Sequence, residues 1–230
     1  MNLADKIKRF NRDLRYTGEL PDSIEIMNPF EQNPAALEAS TVFYQKYYDD
    51  QQPRYLVLGI NPGRLGAGVT GIPFTDTKRL GAICDKEIPG IETHEPSSVF
   101  IYEMIDAYGG IEKFYSTFLF HSVCPLGFVK KKDNGKPVNY NYYDSAALIR
   151  STRPFIVESL KKILSFEVHT NICYCLGTGK NYQYLTNLNK EYEFFNQIKP
   201  LEHPRYIMQY KSKHKHKYIE KYIRSFSVKE

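Results

Sequence analysis

The sequence predicts an α/β protein of three layers (α/β/α), in which helices cover both faces of a central, mainly parallel sheet of four strands. Short apolar runs near residues 54–60, 116–123, 171–176 and 194–201 have the length of buried strands. Segments whose apolar residues recur at helical spacing separate these runs. Strands that alternate with helices form parallel sheets that are covered on both faces, so the order of the segments indicates the fold class.

The first half of the chain contributes two of these strands. LADKIKRFNRDL has the apolar spacing of a helix and precedes a Pro-containing loop that we expect around residues 21–34. PAALEASTVFYQKYY predicts a helix with Pro34 near its start, and RYLVLGI predicts the first strand. SSVFIYEMIDAYGG has a serine cap and a glycine stop, which are typical of a helix. TFLFHSV is the second strand, and the segment from there to about Tyr143 is expected to be loop.

The second half contributes the other two strands. DSAALIRSTRPFIVESLKKILSF predicts a helix with a break or kink at Pro154. NICYCLG predicts the third strand, TGKNYQYLTNLNKEY a helix, and FFNQIKPLEHP the fourth strand, which runs into a loop. We expect one domain over residues 1–230, with an N-terminal helical part at 1–50 and a basic C-terminal helix at 211–230.

Composition is that of an ordinary globular protein. Hydrophobic residues make up 42% of the 230-residue chain and charged residues 25%. No apolar run approaches the roughly 20 residues that a membrane-spanning helix needs, and the charged N-terminus does not resemble a secretion signal. The four cysteines have no C-x-x-C spacing, which favours buried reduced thiols over a zinc site or a disulfide. We therefore expect a cytoplasmic monomer, nucleoid-associated in a bacterium, without a membrane partner.

Positive charge is concentrated in two places. The net charge is +5, and cations cluster in KSKHKHKYIEKYIRSFSVK at residues 211–229 and in FVKKKDNGK around residues 130–136. Such clusters either bind a polyanion or form a solvated face. Charge alone leaves both interpretations open.

The loops that follow the four strands share one edge of the predicted sheet, where ligands of such folds bind. These loops begin with NPGRLGAGVTGIPF, CPLGF, GTGKN and EHPR. GINPGRLGAG lacks the Lys-Ser/Thr that closes a P-loop, and G-x-G-x-x-G is absent after the first strand. Nucleoside-triphosphate chemistry is therefore not supported.

GINPG, the TGIPF that follows it and a distant HPR together resemble the motifs of the uracil-DNA glycosylase superfamily. The nearest branch is that of the single-strand-selective monofunctional uracil-DNA glycosylases, whose motifs have the form G-x-N-P-G, T-G-x-P-F and H-P-x-P-R. FHSVCPLGF is similar to the middle of that family, and the resemblance covers about residues 54–210. It implies a partner, uracil-containing DNA that is single- or double-stranded, and no metal or organic cofactor.

The resemblance assigns roles to individual residues. Asn61 would orient the attacking water, His203 would donate a hydrogen bond to uracil O2, and Phe74 would stack on the flipped base. The pocket for the base would be formed by Gly59, Ile60, Pro62, Gly63, Arg64, Phe74 and Ser122. The DNA strand would be held by Arg205, Tyr206, Lys211, Lys213 and Lys215.

Two departures from the family pattern affect these roles. Ser122 stands where the family carries an Asn that reads the uracil edge, and its hydroxyl is shorter than an amide. A water fills the gap, the substrate base differs, or Asn139 or Asn141 compensates. HPRYIMQYK lacks the second Pro of the motif, so the segment that wedges into DNA is expected at residues 205–208.

Three functions follow from these observations. The first is an active monofunctional uracil-DNA glycosylase of base-excision repair. The second is a catalytically weak DNA- or modified-base-binding module of the same fold, which Ser122 suggests. The third is an unrelated α/β hydrolase of small nucleosides, for which the sequence offers no G-x-S-x-G elbow and no acidic metal cluster.

Overall fold

Two β-sheets and a set of flanking helices make up the computed structural model, which describes residues 1–131, 135–166 and 168–227. The strands are β1 (Ile24–Met27), β2 (Tyr55–Gly59), β3 (Phe118–Ser122), β4 (Gly127–Lys131), β5 (Pro137–Tyr140), β6 (His169–Leu176) and β7 (Gln197–Leu201). The helices are α1 (Leu3–Asp13), α2 (Pro29–Gln32), α3 (Pro34–Tyr48), α4 (Ala67–Thr70), α5 (Thr77–Cys84), α6 (Pro96–Tyr108), α7 (Ile111–Tyr115), α8 (Ala146–Leu164), α9 (Lys180–Tyr192), α10 (Pro204–Tyr210) and α11 (Lys215–Phe226).

The central sheet has the strand order β3-β2-β6-β7, and its neighbouring strands are parallel. This confirms the predicted fold class. Each of the four predicted apolar runs contains one strand, although β6 begins two residues earlier than expected and β7 three residues later. Gly59 lies opposite Ser122 in the register of β2 and β3. The carboxyl ends of β2 and β3 therefore stop side by side, and both lead into the predicted ligand-binding edge.

A second sheet of three antiparallel strands, in the order β1-β4-β5, was not predicted. The expectation of loop around residues 21–34 and from the second strand to about Tyr143 is wrong at these strands. They are only four or five residues long, and β4 and β5 have charged or polar residues at several positions. Short strands of this kind have little of the apolar signal that identifies a buried strand.

The helices differ from the predictions mainly at their ends. Helix α8 continues through Pro154 as one helix, and the predicted C-terminal helix begins at Lys215, after a 3₁₀ turn at Ser212–His214. Residues 228–230 of that predicted helix and Lys132 of the second basic cluster lie outside the described residues. The N-terminal part, residues 1–50, contains β1 as well as α1, α2 and α3.

The core forms where the helices pack on the central sheet. The middle of β2 is fully buried, and α1 buries its apolar side against α3. Cys124, Cys173 and Cys175 are buried and unbridged, as expected, whereas Cys84 is half-buried. None of the described helices combines the length and the apolar character needed to cross a bilayer.

Candidate active site

One pocket at the carboxyl ends of the central strands collects most of the predicted site residues. Its lining includes nine of them: Gly59, Ile60, Asn61, Pro62, Gly63, Phe74, Ser122, His203 and Arg205. The sequence places these residues in three separate segments, at the carboxyl ends of β2, β3 and β7 and directly after them. The parallel sheet brings the segments together because its strands end at the same edge.

The Asn61 side chain is held by backbone groups at the end of β5, directly after it and in its own loop. Its Nδ2 donates to the carbonyl oxygens of Tyr140 and Pro62, each at 3.3 Å, and its Oδ1 accepts from the N–H of Tyr142 at 3.2 Å. These contacts fix which end of the amide is the oxygen. An amide oxygen has two lone pairs, so Oδ1 keeps one acceptor position after the bond to Tyr142.

Phe74 is held in a strained backbone conformation. Its φ is +54°, a region that a bulky residue enters only at a cost of about 1–3 kcal/mol. The ring packs edge-on against Phe120, with 5.2 Å between centroids, and lies 5.8 Å from the ring of His203. A Cβ on Gly59 would lie 3.1 Å from Cζ of Phe74. Because residue 59 is a glycine, the Phe74 ring can lie over the end of β2 without a close contact to a Cβ.

The tautomer of His203 follows from its hydrogen bond at the start of α10. Its Nδ1 accepts the backbone N–H of Arg205 at 3.1 Å. Burial and, to a smaller extent, the charge of Arg205 lower the pKa of His203 to about 3. The ring is therefore neutral near pH 7, and its proton is on Nε2. The pocket thus contains a neutral N–H donor that does not depend on pH in the ordinary range.

Sequence reasoning missed Glu95, which enters the pocket from the start of α6. The backbone N–H of Glu95 donates to Asp76 Oδ2 at 2.6 Å. Its Oε1 and Nη2 of Arg205 each lie 3.3 Å from the position of a Cβ on Gly63, so the two groups flank the glycine loop. Burial raises the pKa of Glu95, and the charge of Arg205 opposes that shift. HEPSSVF shows an acid before a helix, but nothing local connects it with GINPG.

The two amides proposed as substitutes for the missing family Asn lie at the site in different ways. Asn141 lines the pocket. Asn139 accepts the backbone N–H of Arg64 through its Oδ1 at 3.0 Å, while the Arg64 side chain is exposed and outside the pocket lining. Ser122 is buried at the end of β3 and contributes to the pocket wall. Asn139 therefore supports the loop, and Asn141 is the one of the two amides that lines the pocket.

A family model of the uracil DNA glycosylase superfamily matches residues 45–227. This chain belongs to that superfamily. The chain is also similar to the crystal structure of wild-type Pedobacter heparinus SMUG2, with 54% identity and a TM-score of 0.96 over 98% of this chain and 97% of that chain. No curated protein sequence matched the chain. The matched range includes β2 and α10 and the segments beside them that contain Asn61 and His203.

The residues expected to hold DNA lie on and beyond α10, the helix that begins directly after His203. Tyr206 is 41% exposed, and its ring pairs with that of Tyr210 at 5.5 Å. Ile207 is fully buried, so the expectation that it helps to wedge into DNA is wrong. Its position on α10 directs it into the core, whereas its neighbour Tyr206 faces outward.

The predicted lysines are not equivalent. Lys211 and Lys213 are exposed, and their ammonium groups form no ion pair with another described residue. Lys215 Nζ lies 2.6 Å from Glu103 Oε1, so part of its charge is neutralised within the protein. Within the described part of the chain, no three His, Cys, Asp or Glu side chains are grouped to hold a metal.

Proposed function

We propose that this member of the uracil DNA glycosylase superfamily is a monofunctional glycosylase. It would hydrolyse the N-glycosidic bond of uracil, or of a related damaged base, in DNA. The observation that supports this most is the meeting of Asn61, Phe74 and the neutral His203 in one pocket. Asn61 offers an acceptor for water, the Phe74 ring a surface for a flat base, and His203 a hydrogen-bond donor for an anion.

The reaction needs a base outside the helical stack. The target nucleotide flips into the pocket, where the Phe74 ring lies against the base and contributes about 1–3 kcal/mol by stacking. The bond from C1′ to the uracil nitrogen then breaks, and its electron pair leaves with uracil. Positive charge remains on the sugar. Water forms the new bond to C1′ and releases a proton to solvent, and the departing uracil anion takes up a proton from solvent. The products are an abasic site and free uracil.

Asn61 would position the water. Its Oδ1 has one lone pair left after accepting from Tyr142, and that lone pair can accept a hydrogen from water. An amide is not basic enough to remove a proton, so the role is orientation. The sugar cation makes a strong base unnecessary because the attacking water becomes acidic as its bond to C1′ forms.

His203 would stabilise the leaving base. Its Nε2–H can donate to uracil O2, where negative charge develops as the bond breaks. A neutral donor gains strength as that charge grows, so it favours the transition state over the bound substrate. Loss of one such donor typically lowers the rate by about 10²–10³.

The remaining predicted residues would hold the base and the strand. The base pocket would use Gly59, Ile60, Pro62, Gly63 and Ser122. Arg64, predicted as a sixth member, would support the loop through its backbone N–H, which donates to Asn139. Arg205 and Tyr206 would contact the DNA beside the flipped nucleotide, and Lys211 and Lys213 would bind phosphates more strongly than the paired Lys215. We infer that one domain, acting as a monomer in the cytoplasm or nucleoid, performs the reaction without a metal or organic cofactor.

A labelled oligonucleotide with one uracil tests this proposal. We expect strand breaks only after treatment with alkali, because a monofunctional glycosylase leaves an intact abasic strand, and we expect no loss of activity in EDTA. The Asn61→Ala variant, purified in the same way, controls for a contaminating glycosylase. Binding without breaks would favour the alternative of a base-binding module, for which Ser122 is the specific indication.

A further inference from the structure

A small cavity lies directly behind the pocket for the base. It leaves about 20 Å³ for the centre of a water molecule, and one water needs roughly 10–15 Å³ by the same measure. Pro62, Ala67, Pro73 and Ser122 line both spaces. These four residues therefore stand between the two spaces, and Ser122 is the one among them with a polar side chain.

A buried amide also lines the cavity. Asn11 of α1 is 5% exposed, yet its Nδ2 makes no hydrogen bond to any residue in the described part of the chain. A buried donor that is left unsatisfied costs about 1–3 kcal/mol. Apolar residues fill the neighbouring buried positions of α1, so an amide at this position indicates a polar occupant of the cavity.

The same cavity is lined by a neutral histidine with a free acceptor. Nδ1 of His121 lies 3.0 Å from the carbonyl oxygen of Ser122, and it must be the donor because a carbonyl oxygen can only accept. Burial lowers the pKa of His121 to about 4, so the ring is neutral near pH 7. Nε2 of His121 then carries a lone pair, and no described residue donates to it.

Two hydroxyl groups complete the set. Tyr44 of α3 and Ser122 both line the cavity, and neither hydroxyl has a hydrogen-bond partner among the described residues. Burial raises the pKa of Tyr44 well above its usual value, so its hydroxyl remains protonated and can donate. The residues that line the cavity can thus supply two donors, Asn11 Nδ2 and the Tyr44 hydroxyl, and two acceptors, His121 Nε2 and Ser122 Oγ.

We propose that this cavity binds one ordered water, which orients the Ser122 hydroxyl so that it reads the edge of the flipped base. The water accepts from Asn11 and Tyr44 and donates to His121 Nε2 and Ser122 Oγ. This arrangement uses both hydrogens and both lone pairs of the water, whereas a water that accepted from Ser122 would leave one of its own hydrogens without an acceptor.

The consequence for the base rests on the function proposed above. Because Ser122 Oγ accepts from the water, its own O–H is directed elsewhere, and Ser122 also lines the pocket for the base. If His203 takes uracil O2, the carbonyl left for Ser122 is O4. Asn11 and Tyr44 are then positioning residues: they do not touch the base, but they determine which way the serine hydroxyl points.

A high-resolution crystal structure of the unliganded protein tests the water itself. We expect one ordered water at about 2.7–3.2 Å from Asn11 Nδ2, His121 Nε2 and the two hydroxyl oxygens. A cavity without that water, or a water bonded to backbone groups alone, would overturn the proposal. This observation does not depend on any activity of the protein.

Two variants test the reading of the base. Tyr44→Phe and Asn11→Leu each remove one donor to the water with little change in side-chain size. The matched control is Tyr47→Phe, on the same helix, whose hydroxyl donates to the carbonyl of Ile83 at 3.1 Å and does not line the cavity. The probes are single strands that carry 2′-fluoroarabino nucleotides of uracil or of pyrimidin-2-one, which lacks O4. The fluorine slows hydrolysis by disfavouring the sugar cation, so binding can be measured.

The ratio of the two dissociation constants is the readout. We expect the parent and Tyr47→Phe to bind the uracil strand about three- to tenfold more tightly, the usual value of one hydrogen bond. Tyr44→Phe and Asn11→Leu should each reduce that preference at least by half. Folded variants that keep the parent ratio would overturn the reading role and leave the glycosylase proposal intact. A parent that neither cleaves nor binds the uracil strand would refute both.

Discussion

Substitution of Gly59 by alanine tests the position of the Phe74 ring. The new Cβ would lie 3.1 Å from Cζ and 3.4 Å from Cε2 of Phe74, and 3.6 Å from the carbonyl oxygen of His121. The first distance is shorter than ordinary carbon contacts, which lie near 3.5–4.0 Å. Since β2 is held in the sheet on both sides, the ring must move by a few tenths of an ångström.

The size of the effect follows from how little freedom the ring has. Phe74 already has a strained backbone at φ +54° and packs against Phe120. Overpacking of this kind costs about 1–3 kcal/mol. If about 1.4 kcal/mol of that cost falls on the stacked transition state, the single-turnover rate drops roughly tenfold.

The assay is single-turnover cleavage of a uracil oligonucleotide, with thermal unfolding measured on the same samples. Gly81→Ala is the matched control, because a Cβ on that residue of α5 meets nothing closer than the carbonyl oxygen of Lys86 at 3.9 Å. A folded Gly59→Ala variant that cleaves as fast as Gly81→Ala and the parent would refute the stacking role of Phe74.

Three further predictions concern charge. His121 and His203 have pKa values lowered to about 4 and about 3, mainly by burial, so the unfolded chain binds protons first as the pH falls below about 6.5. The unfolding free energy should therefore drop towards pH 4, by up to about 1.4 kcal/mol per pH unit for each histidine. Denaturant titrations that show no drop would contradict the burial of these two rings in the neutral form. Burial raises the pKa of Glu95, so its ionised form destabilises the folded state. At pH values above that pKa, Glu95→Gln should therefore increase the melting temperature, and the increase should shrink as the pH falls. An equal increase at every pH would exclude this cause. Replacing Lys211 and Lys213 by Gln should weaken binding to all DNA sequences alike. The slope of the logarithm of the binding constant against the logarithm of the salt concentration should fall by roughly two. An unchanged slope would show that the two lysines belong to a solvated face.

The sequence predicted the central sheet because each of its strands leaves a local signal. RYLVLGI and NICYCLG are apolar, short and followed by turn residues, and burial on both faces of a parallel sheet requires that pattern. The second sheet leaves no such signal. Its β4 begins apolar and ends in exposed lysines, and β5 begins at Pro137. Those strands are specified by their pairing with each other and with β1, which a local pattern does not record.

The residues of the candidate site likewise divide into those with a local sequence signal and those without one. Asn61, Phe74 and His203 were predicted because they belong to short motifs that can be recognised within one segment. Glu95 and Asn11 were not, since each reaches the site from a helix far away in the chain. A carboxylate before a helix and an amide within a helix are common in any sequence. Only tertiary packing places Glu95 beside the glycine loop and Asn11 in the same cavity as Ser122.

One measurement tests the roles of Asn61 and His203 most directly. It is the single-turnover rate of Asn61→Ala and His203→Ala on a uracil oligonucleotide, with the affinity for DNA measured in parallel. Asn61→Ala should lose most of its turnover and His203→Ala about 10²–10³ in rate, while both bind DNA nearly as the parent does, because their contacts matter chiefly as the bond breaks. If both folded variants cleave like the parent, the assignment of the pocket is wrong.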